Sequence, residues 1–496
     1  MKYISTRSDE TVSAGEALLR GLAKDGGLYL PEELPHPFVN YDEIKGLTYK
    51  ELAVFILKPF LPDIPEKELS KLTEAAYTGT FETDEIVPVK TMSEAFSVAE
   101  MFHGRTCAFK DLALSLFPHL LSWAQKNREK DRKILILTAT SGDTGKAALE
   151  GFRDIPGIDI MVFYPSHGVS PLQKDQMQKQ SGNNMRVLGI EGNFDDAQST
   201  VKEIFNSDLR KEAESRGILF SSANSINIGR LLPQIVYYVW IWARLIKSGS
   251  IGREESFNIV VPTGNFGNIL AAYMAKKIGT PIGQLICASN ENKVLADFFE
   301  TGIYDIRREF HLTESPSMDI LISSNFERFL YYMLGSSEET ADLMKNLKEN
   351  KFYSISEREL NIVTADIKGG WASSEMMKRS MAEVYKKYDY LMDPHTAVAY
   401  AVYNRFRRQG KLEQNSHTVI VSTAHPYKFP ETIAESLGIS SSENPYDTLR
   451  ILEKETGITI PKQLGMLETA EKRFADTIEK KDMAKAVEEY INILIH

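Results

Sequence analysis

Between about residue 130 and residue 290, short β-rich runs alternate with amphipathic segments. The runs predicted to be strands are residues 134–137, 160–164, 185–190, 218–220, 257–261 and 285–288. Strands separated by helical segments are typical of βαβ units, which form parallel sheets buried on both faces. Two more strands are expected near Tyr390 and at 418–421, in the same sheet or at its edge. The pattern therefore predicts an α/β fold built on a parallel sheet.

Most other segments have helical patterns. Helices are expected at residues 49–57, 112–125 and 269–277, across most of 291–390, and in the charged tail from about 430. Single hydrophobic cores stop growing at roughly 250–300 residues. A chain of 496 residues is therefore expected to contain two or more substructures.

The overall charge is acidic, because 58 Lys and Arg stand against 68 Asp and Glu. The net charge of −10 argues against a nucleic-acid or anionic-membrane surface, although a local pocket can still bind anions. No signal-peptide pattern is found, and the longest apolar run is far below the roughly 20 residues that span a bilayer. The two cysteines, Cys107 and Cys287, show no metal-site spacing. We therefore expect a cytoplasmic protein without metal, membrane or nucleic-acid partners.

The first polar turn, TATSGDTGK at residues 138–146, follows a predicted strand and opens a helix. Ligands of open α/β sheets bind outside the carboxyl ends of strands, so such turns are candidate sites. A Walker P-loop needs glycine five residues before its Gly-Lys pair and Ser or Thr after it. Thr140 and Ala147 occupy those positions, which argues against ATP or GTP binding. An ordinary capped turn and a binding site for an anionic group both stay open.

The second turn, PTGNFGN at residues 262–268, precedes the helix predicted at 269–277. Two glycines three residues apart allow backbone amides to converge on a phosphate at the helix start. No Lys-Ser/Thr pair follows and the GxGxxG spacing is absent, so a monophosphate fits better than a nucleotide. An ordinary Gly-Asn loop is the alternative.

Lys110 lies in the apolar, aromatic segment FHGRTCAFKD at residues 102–111. Burial favours the neutral form of an amine, which makes it a nucleophile toward an aldehyde. The alternative is a lysine at the surface or paired with Asp111. Taken together, the three segments call for a ligand with one aldehyde and one monophosphate, a description that pyridoxal 5′-phosphate meets.

An ordered set of motifs resembles the threonine synthase family, in its longer bacterial and fungal type. The motifs are FHGRTCAFKD (102–111), TSGDTG (140–145), GNFGN (264–268), STAHPYKF (422–429), YISTR (3–7), GLAKDGGLY (21–29), SPSMDI (315–320), SNFERF (324–329) and DPHTAV (393–398). The resemblance implies the tryptophan-synthase-β-like fold type II of pyridoxal-phosphate enzymes, with two open parallel-sheet α/β domains. It also implies a carbon–oxygen lyase that converts O-phospho-L-homoserine and water to L-threonine and phosphate.

Roles for individual residues follow from the resemblance. Lys110 resembles the Schiff-base lysine that also moves protons, and Thr423 resembles the hydroxyl partner of the pyridine nitrogen, with Ser422 as the alternative. The cofactor phosphate is expected at Gly264, Asn265, Phe266, Gly267 and Asn268, and substrate is expected at Ser141, Gly142, Asp143, Thr144, Asn227 and Arg230.

Other residues of these motifs have further expected roles. Lys428 is a further candidate for the substrate phosphate, and Arg105 stands where the family motif usually has proline. His103 and His425 are interpreted as structural. The two residues expected in buried ion pairs are Asp319 and Arg328.

The resemblance also implies domains and partners. We expect an N-terminal segment at 1–90, a catalytic core at 91–430 with a small subdomain at about 113–210, and a helical C-terminal segment at 431–496. The enzyme is expected to be a monomer or homodimer that acts on a small molecule and closes over it, because early entry of water would give a keto acid. Two alternatives stay open: a related phospho-lyase that yields 2-oxobutyrate, and a regulatory protein that binds phosphate or nucleotide.

Overall fold

The computed structural model describes residues 1–140, 142–167, 169–413 and 415–495. Its strands are β1 Tyr3–Ser5, β2 Ser8–Val12, β3 Tyr29–Pro31, β4 Val89–Ser93, β5 Phe96–Glu100, β6 Lys133–Ala139, β7 Ile158–Pro165, β8 Met185–Glu191, β9 Ile218–Ser221, β10 Phe257–Pro262, β11 Ile282–Ser289, β12 Ile303–Asp305, β13 Phe352–Ser354, β14 Ile367–Trp371, β15 Thr418–Ser422 and β16 Thr477–Glu479.

The helices lie between these strands, singly or in succession. They are α1 Ala14–Arg20, α2 Tyr41–Ile44, α3 Tyr49–Leu57, α4 Glu66–Tyr77, α5 Lys110–Leu114, α6 Phe117–Arg128, α7 Asp143–Gly151, α8 Pro171–Gln178, α9 Phe194–Phe205, α10 Asp208–Ser215, α11 Ile228–Lys247, α12 Gly267–Lys277, α13 Val294–Thr301, α14 Phe326–Leu334, α15 Ser337–Asn350, α16 Glu357–Asp366, α17 Ser374–Tyr388, α18 Pro394–Arg408, α19 Pro430–Leu437, α20 Pro445–Thr456, α21 Lys462–Gly465 and α22 Met483–Ile495.

The larger sheet has six strands in the order β14-β11-β10-β15-β5-β4. All neighbours are parallel except β4, which runs antiparallel to β5 at one edge. Every residue of β10 and β15 is buried, because helices cover both faces of a parallel sheet. This burial explains why both strands have an apolar centre, Ile259, Val260 and Val261 in β10 and Val419, Ile420 and Val421 in β15.

The second sheet has five parallel strands in the order β16-β8-β7-β6-β9. A small three-stranded sheet of β2, β1 and β3 is formed by the N-terminal segment. The long helix α11 is buried along almost its whole length and packs against α12, α3 and α5. Among the described residues, no helix is both long and apolar enough to cross a bilayer.

The structure confirms the α/β class and the strands predicted at 134–137, 160–164, 185–190, 218–220, 257–261, 285–288 and 418–421. The strand expected near Tyr390 is wrong, because residues 390–393 form a buried connection between α17 and α18. The single helix expected at 112–125 is two helices, α5 and α6. Pro118, in the first turn of α6, can start a helix but cannot continue one.

Candidate active site

One cavity opens where strands of the two larger sheets end. Ala139 and Thr140 at the end of β6, Thr263 after β10 and Thr423 after β15 all line it. Ligands bind at this edge in open α/β sheets. The topology therefore brings together motifs that are more than 280 residues apart in sequence.

Lys110 is the first residue of α5, and its amine faces the cavity from a buried position. Its side chain is 11% exposed, and Nζ lies 5.0 Å from the centre of the Phe109 ring. Nζ donates a hydrogen bond to Ser317 Oγ at 3.4 Å and lies 3.6 Å from Asp143 Oδ2. Burial lowers the pKa of Lys110, and Asp143 only partly opposes that effect. The amine is therefore more nucleophilic near neutral pH than that of an exposed lysine.

Asp143, at the start of α7, is the carboxylate that Lys110 faces. Its Oδ2 accepts a hydrogen bond from Ser317 Oγ at 3.2 Å, and its Oδ1 lies 2.6 Å from Lys428 Nζ. Burial would raise the pKa of Asp143, but the ammonium groups of Lys428 and Lys110 outweigh it and hold the pKa well below its usual range. Asp143 is therefore a buried anion between two lysines.

The glycine turn after β10 forms a cradle at the N-terminus of α12. A Cβ at Gly264 would come 2.4 Å from the carbonyl oxygen of Ser317, so only glycine fits there. Phe266 has a left-handed backbone with φ of 61°, and its ring packs edge-on against Phe326 at 4.9 Å. This packing holds the strained turn in place, with the first free amides of α12 beside the cavity.

Asn268 shows that a polar group belongs in this cradle. Its Oδ1 accepts a hydrogen bond from the Tyr238 hydroxyl at 2.6 Å, and the Tyr237 hydroxyl lies at the same distance. Its Nδ2 is buried without a hydrogen-bond partner among the described residues. A buried donor without a partner is costly, so Asn268 fits a site whose phosphate ligand accepts that hydrogen bond.

The structure places only one of the two neighbouring hydroxyl residues, Thr423 and Ser422, at the cavity. Thr423 lines the cavity, and its carbonyl oxygen accepts a hydrogen bond from the Phe109 backbone at 2.8 Å. Ser422 does not line the cavity, and its Oγ lies 3.1 Å from Thr396 Oγ1. Of the two hydroxyl residues, Thr423 is therefore the one that lines the cavity.

Arg230, in the first turn of α11, is a buried cation on the cavity wall. It is 3% exposed, its Nη1 donates to the Ala223 carbonyl, and its Nε has no hydrogen-bond partner within the described chain. Burial lowers the pKa of Arg230 to about 10, which still leaves it charged at neutral pH. A guanidinium without a carboxylate partner suits an anionic ligand.

The other predicted substrate residues are placed differently. Thr144 lines the cavity, whereas Gly142 does not, and the Gly142 amide donates to Thr140 Oγ1 at 3.0 Å. Asn227 also lies outside the lining and caps α11, because its Oδ1 accepts from Gly229 and its Nδ2 donates to Leu18. Ser141 lies outside the described residues.

The remaining charged candidates also have structural partners. Lys428 is buried behind the cavity wall, and Arg105 is 43% exposed and 3.5 Å from Glu150. Arg328 is completely buried, yet it binds backbone carbonyls and no carboxylate lies within ion-pair distance in the described chain. Asp319 accepts hydrogen bonds from Asn290, Asn292 and Thr313. The expected buried ion pairs of Arg328 and Asp319 are therefore wrong.

Ser317 and His395 are among the cavity residues that the sequence reasoning missed. The Ser317 hydroxyl connects Lys110 to Asp143, and the Ser317 backbone amide donates to His395 Nε2 at 3.1 Å. His395 Nδ1 in turn lies 2.8 Å from Asp393 Oδ1. Because Nε2 accepts, Nδ1 carries the proton. Both residues lie in motifs that carried the resemblance, but a serine or histidine alone gives no sign of this placement.

Three family models match successive parts of the chain. "Threonine synthase N terminus" matches residues 2–77, "Pyridoxal-phosphate dependent enzyme" matches 86–424, and "Threonine synthase, C-terminal" matches 396–491. The second model alone spans more than half of the chain.

Curated relatives include a threonine synthase of Pseudomonas aeruginosa, 37% identical over 476 residues, which cover 94% of this chain and 97% of that protein. Human threonine synthase-like 1 is 39% identical over 459 residues, covering 88% of this chain. The chain spans 61% of the length of that human protein and of its macaque counterpart.

Solved structures of threonine synthases are also similar to this chain. The threonine synthase of Brucella melitensis, described as bound to pyridoxal phosphate, has a TM-score of 0.87 at 36% identity. The yeast threonine synthase has a TM-score of 0.88 at 31% identity. In both cases the similarity covers 99% of each chain.

Proposed function

Because this chain belongs to the threonine synthase family of pyridoxal-phosphate-dependent enzymes, we propose that it converts O-phospho-L-homoserine and water to L-threonine and phosphate. The observation that carries the proposal is the contents of one cavity: the Lys110 amine, whose pKa burial lowers, together with Asn268 Nδ2 and Arg230 Nε, two buried donors that have no hydrogen-bond partner among the described residues. In the overall reaction, phosphate leaves Cγ, Cβ gives up a proton and takes the hydroxyl of water, and Cγ gains a proton, while the remaining proton of water leaves with the phosphate. The enzyme is further proposed to be cytoplasmic, and a monomer or homodimer that binds no nucleic acid or membrane.

The residues that would hold the cofactor lie on two sides of the cavity. Lys110 would provide the amine for its aldehyde, and Thr423 the hydroxyl for its ring nitrogen. Its phosphate would bind the turn from Gly264 to Asn268, where backbone amides and Asn268 Nδ2 converge. When bound, pyridoxal 5′-phosphate supplies an electron sink that acidifies the substrate carbons next to the amino group.

The substrate carries a dianionic phosphate, which calls for a cation. Arg230 is the proposed partner, because its buried guanidinium faces the cavity with Nε free to donate. Asp143 would repel the phosphate if it were uncompensated, but Lys428 and Lys110 both face it. We propose that Thr144 contributes a hydroxyl to the substrate carboxylate.

Proton transfer is assigned to Lys110. With substrate bound, the Lys110 amine would take and return protons at Cα, Cβ and Cγ of the substrate. Burial favours its neutral form, and Ser317 Oγ, within hydrogen-bond distance, orients it. A single lysine therefore serves for both attachment and proton transfer.

The test is incubation with O-phospho-L-homoserine, with phosphate and threonine measured together. We expect the wild type to release phosphate and threonine in equal amounts. Lys211→Ala, a matched change at an exposed lysine, should give the same yields as the wild type. Lys110→Ala should release neither product above background. Equal phosphate release by wild type and Lys110→Ala would remove Lys110 from the mechanism.

The same assay separates the two phospho-lyase activities. A threonine synthase admits water only after phosphate has left, whereas premature loss of the amino group yields 2-oxobutyrate and ammonia. Phosphate accompanied by 2-oxobutyrate instead of threonine would replace the proposed activity with that of the related lyase.

A further inference from the structure

Lys428 lies behind the cavity wall, and its ammonium group contacts two segments at once. Nζ is 2.6 Å from Asp143 Oδ1 and donates a hydrogen bond to the Thr106 carbonyl at 2.9 Å. The side chain is 1% exposed and is not part of the cavity lining. An ammonium group already committed to these two acceptors is not placed to bind substrate.

Asp143 is shared between two lysines, one at each carboxylate oxygen. Lys428 and the Gln173 amide contact Oδ1, the latter at 2.9 Å. Lys110 faces Oδ2 at 3.6 Å, with Ser317 Oγ donating to the same oxygen. The contact to Lys428 is shorter by 1 Å, so the ion pair with Lys428 is the closer of the two.

We propose that Lys428 is a positioning residue that engages Asp143 and so keeps the Lys110 amine available to bond to the aldehyde of pyridoxal 5′-phosphate. The proposal rests on the proposed function, because it takes Lys110 as the cofactor-binding lysine. In the bonding step the neutral amine attacks the aldehyde carbon. A C=N bond forms, and the aldehyde oxygen leaves as water with the two amine protons, without oxidation or reduction. An ammonium group tied to a carboxylate cannot take this step.

The charges around both lysines support this assignment. Burial is the largest cause of the lowered pKa of Lys110. Lys428 and Arg230 lower this pKa further, whereas Asp143 on α7 raises it. Lys428 also acts electrostatically on Asp111, Lys146, Cys107 and His425. If Lys428 were removed, one nearby positive charge would disappear and Asp143 would be left with Lys110 as its nearest cation. The pKa of Lys110 would then rise.

The test measures cofactor capture rather than turnover. Apoenzyme is mixed with pyridoxal 5′-phosphate, and the absorbance change of bond formation is followed at a series of pH values. In Lys428→Met we expect the midpoint of the pH–rate profile to move up by about one unit, which makes capture below the midpoint roughly tenfold slower. Lys428→Arg keeps the charge and should restore the wild-type midpoint. Lys146→Met is the matched control, because that buried lysine pairs with Glu150 and should leave the midpoint unchanged.

Asp143→Asn removes the carboxylate that both lysines face, and it is the variant to measure if Lys428→Met does not fold. Loss of the carboxylate should move the midpoint down, because Lys110 then loses the group that favours its charged form. An unchanged midpoint in Asp143→Asn, or in a folded Lys428→Met, would overturn the role of Lys428. An equal shift in Lys146→Met would overturn it as well. If wild type forms no bond, or forms it equally in Lys110→Ala, the proposed function itself fails.

Discussion

At the residue scale, the cavity holds buried basic groups although the chain as a whole is acidic. Three basic groups, Lys110, Lys428 and Arg230, lie at or behind its wall, and two carboxylates, Asp143 and Asp319, line it. The chain as a whole carries a net charge of −10. Lys428 and Lys110 face Asp143, whereas Arg230 Nε has no hydrogen-bond partner among the described residues. Arg230 can therefore bind an anionic ligand in this site although the net charge of the chain is negative.

Arg230→Gln should weaken substrate binding. Loss of a charge-assisted contact to phosphate costs about 1.5–3 kcal/mol, so we expect KM for O-phospho-L-homoserine to rise roughly ten- to a hundredfold. Steady-state kinetics measure this, and inhibition by inorganic phosphate should weaken in parallel. Arg244→Gln is the control, because Arg244 lies on the same helix but stacks on Trp240. A KM that changes equally in both variants would contradict a phosphate-binding role for Arg230.

His425→Asn should reduce the sensitivity of the fold to acid. Burial, with His103 adding to it, lowers the pKa of His425 from 6.5 to about 3. The imidazole of His425 therefore binds a proton more readily in the unfolded chain than in the folded one. The contribution of neutral His425 to the free energy of unfolding is complete above about pH 6.5 and is lost as the pH falls toward 3. The free energy of unfolding should fall by up to about 1.4 kcal/mol per pH unit from this group alone.

Urea unfolding between pH 7 and pH 4 measures that slope. Asparagine can still accept the hydrogen bond that the Tyr427 backbone donates to His425 Nδ1. The variant should show a shallower loss than wild type, and His36→Asn, at an exposed histidine, should match wild type. Identical slopes in wild type and His425→Asn would show that His425 is not held neutral by the fold.

At the element scale, hydrophobic patterns in the sequence predicted the buried central strands but not β14 at the edge of the sheet. β10 and β15 each have three consecutive apolar residues at their centre, and burial on both faces favours that pattern. β14 has two glycines and partial exposure at the sheet edge, so it carries no such signal. Near Tyr390 the apolar run is real, but it is buried as a loop. Hydrophobicity alone predicts burial and cannot predict strand pairing.

Gly264→Ala should disrupt the cradle at the start of α12. The new Cβ would lie 2.4 Å from the backbone oxygen of Ser317, so the turn or the facing loop must move. We expect at least a tenfold weaker affinity for pyridoxal 5′-phosphate, because a misplaced turn no longer converges its amides on the phosphate. Equilibrium titration of apoenzyme measures this. Gly46→Ala, where nothing lies within 4 Å, should bind as wild type does, and equal affinity in Gly264→Ala would contradict the cradle.

At the scale of the whole molecule, the N-terminal segment is tied to the cavity wall by Arg328. Its Nε donates to the Tyr29 carbonyl at 2.8 Å, and its Nη2 donates to the Ile226 carbonyl at 2.6 Å. Ile226 lines the cavity. The motif containing Arg328 was recognisable from sequence, but its partners are roughly 100 and 300 residues away. Such long-range contacts depend on the assembled fold and leave no local pattern.

Arg328→Met should therefore loosen the N-terminal segment. One buried and two partly buried carbonyls would lose a charged donor, and we expect the free energy of unfolding to fall by about 3 kcal/mol. Urea unfolding gives the value. Arg379→Met, at a side chain that is 76% exposed, should change it by less than about 0.5 kcal/mol. If the two variants were equally stable, Arg328 would not link these segments.

The central claim is that the buried amine of Lys110 bonds to pyridoxal 5′-phosphate in this cavity. Borohydride reduction of the purified protein, followed by proteolysis and mass spectrometry, tests it most directly, because reduction makes the bond permanent. We predict a pyridoxyl-phosphate group on the peptide that contains Lys110, and on no other lysine. An unmodified Lys110, or the group on a different lysine, would contradict the account.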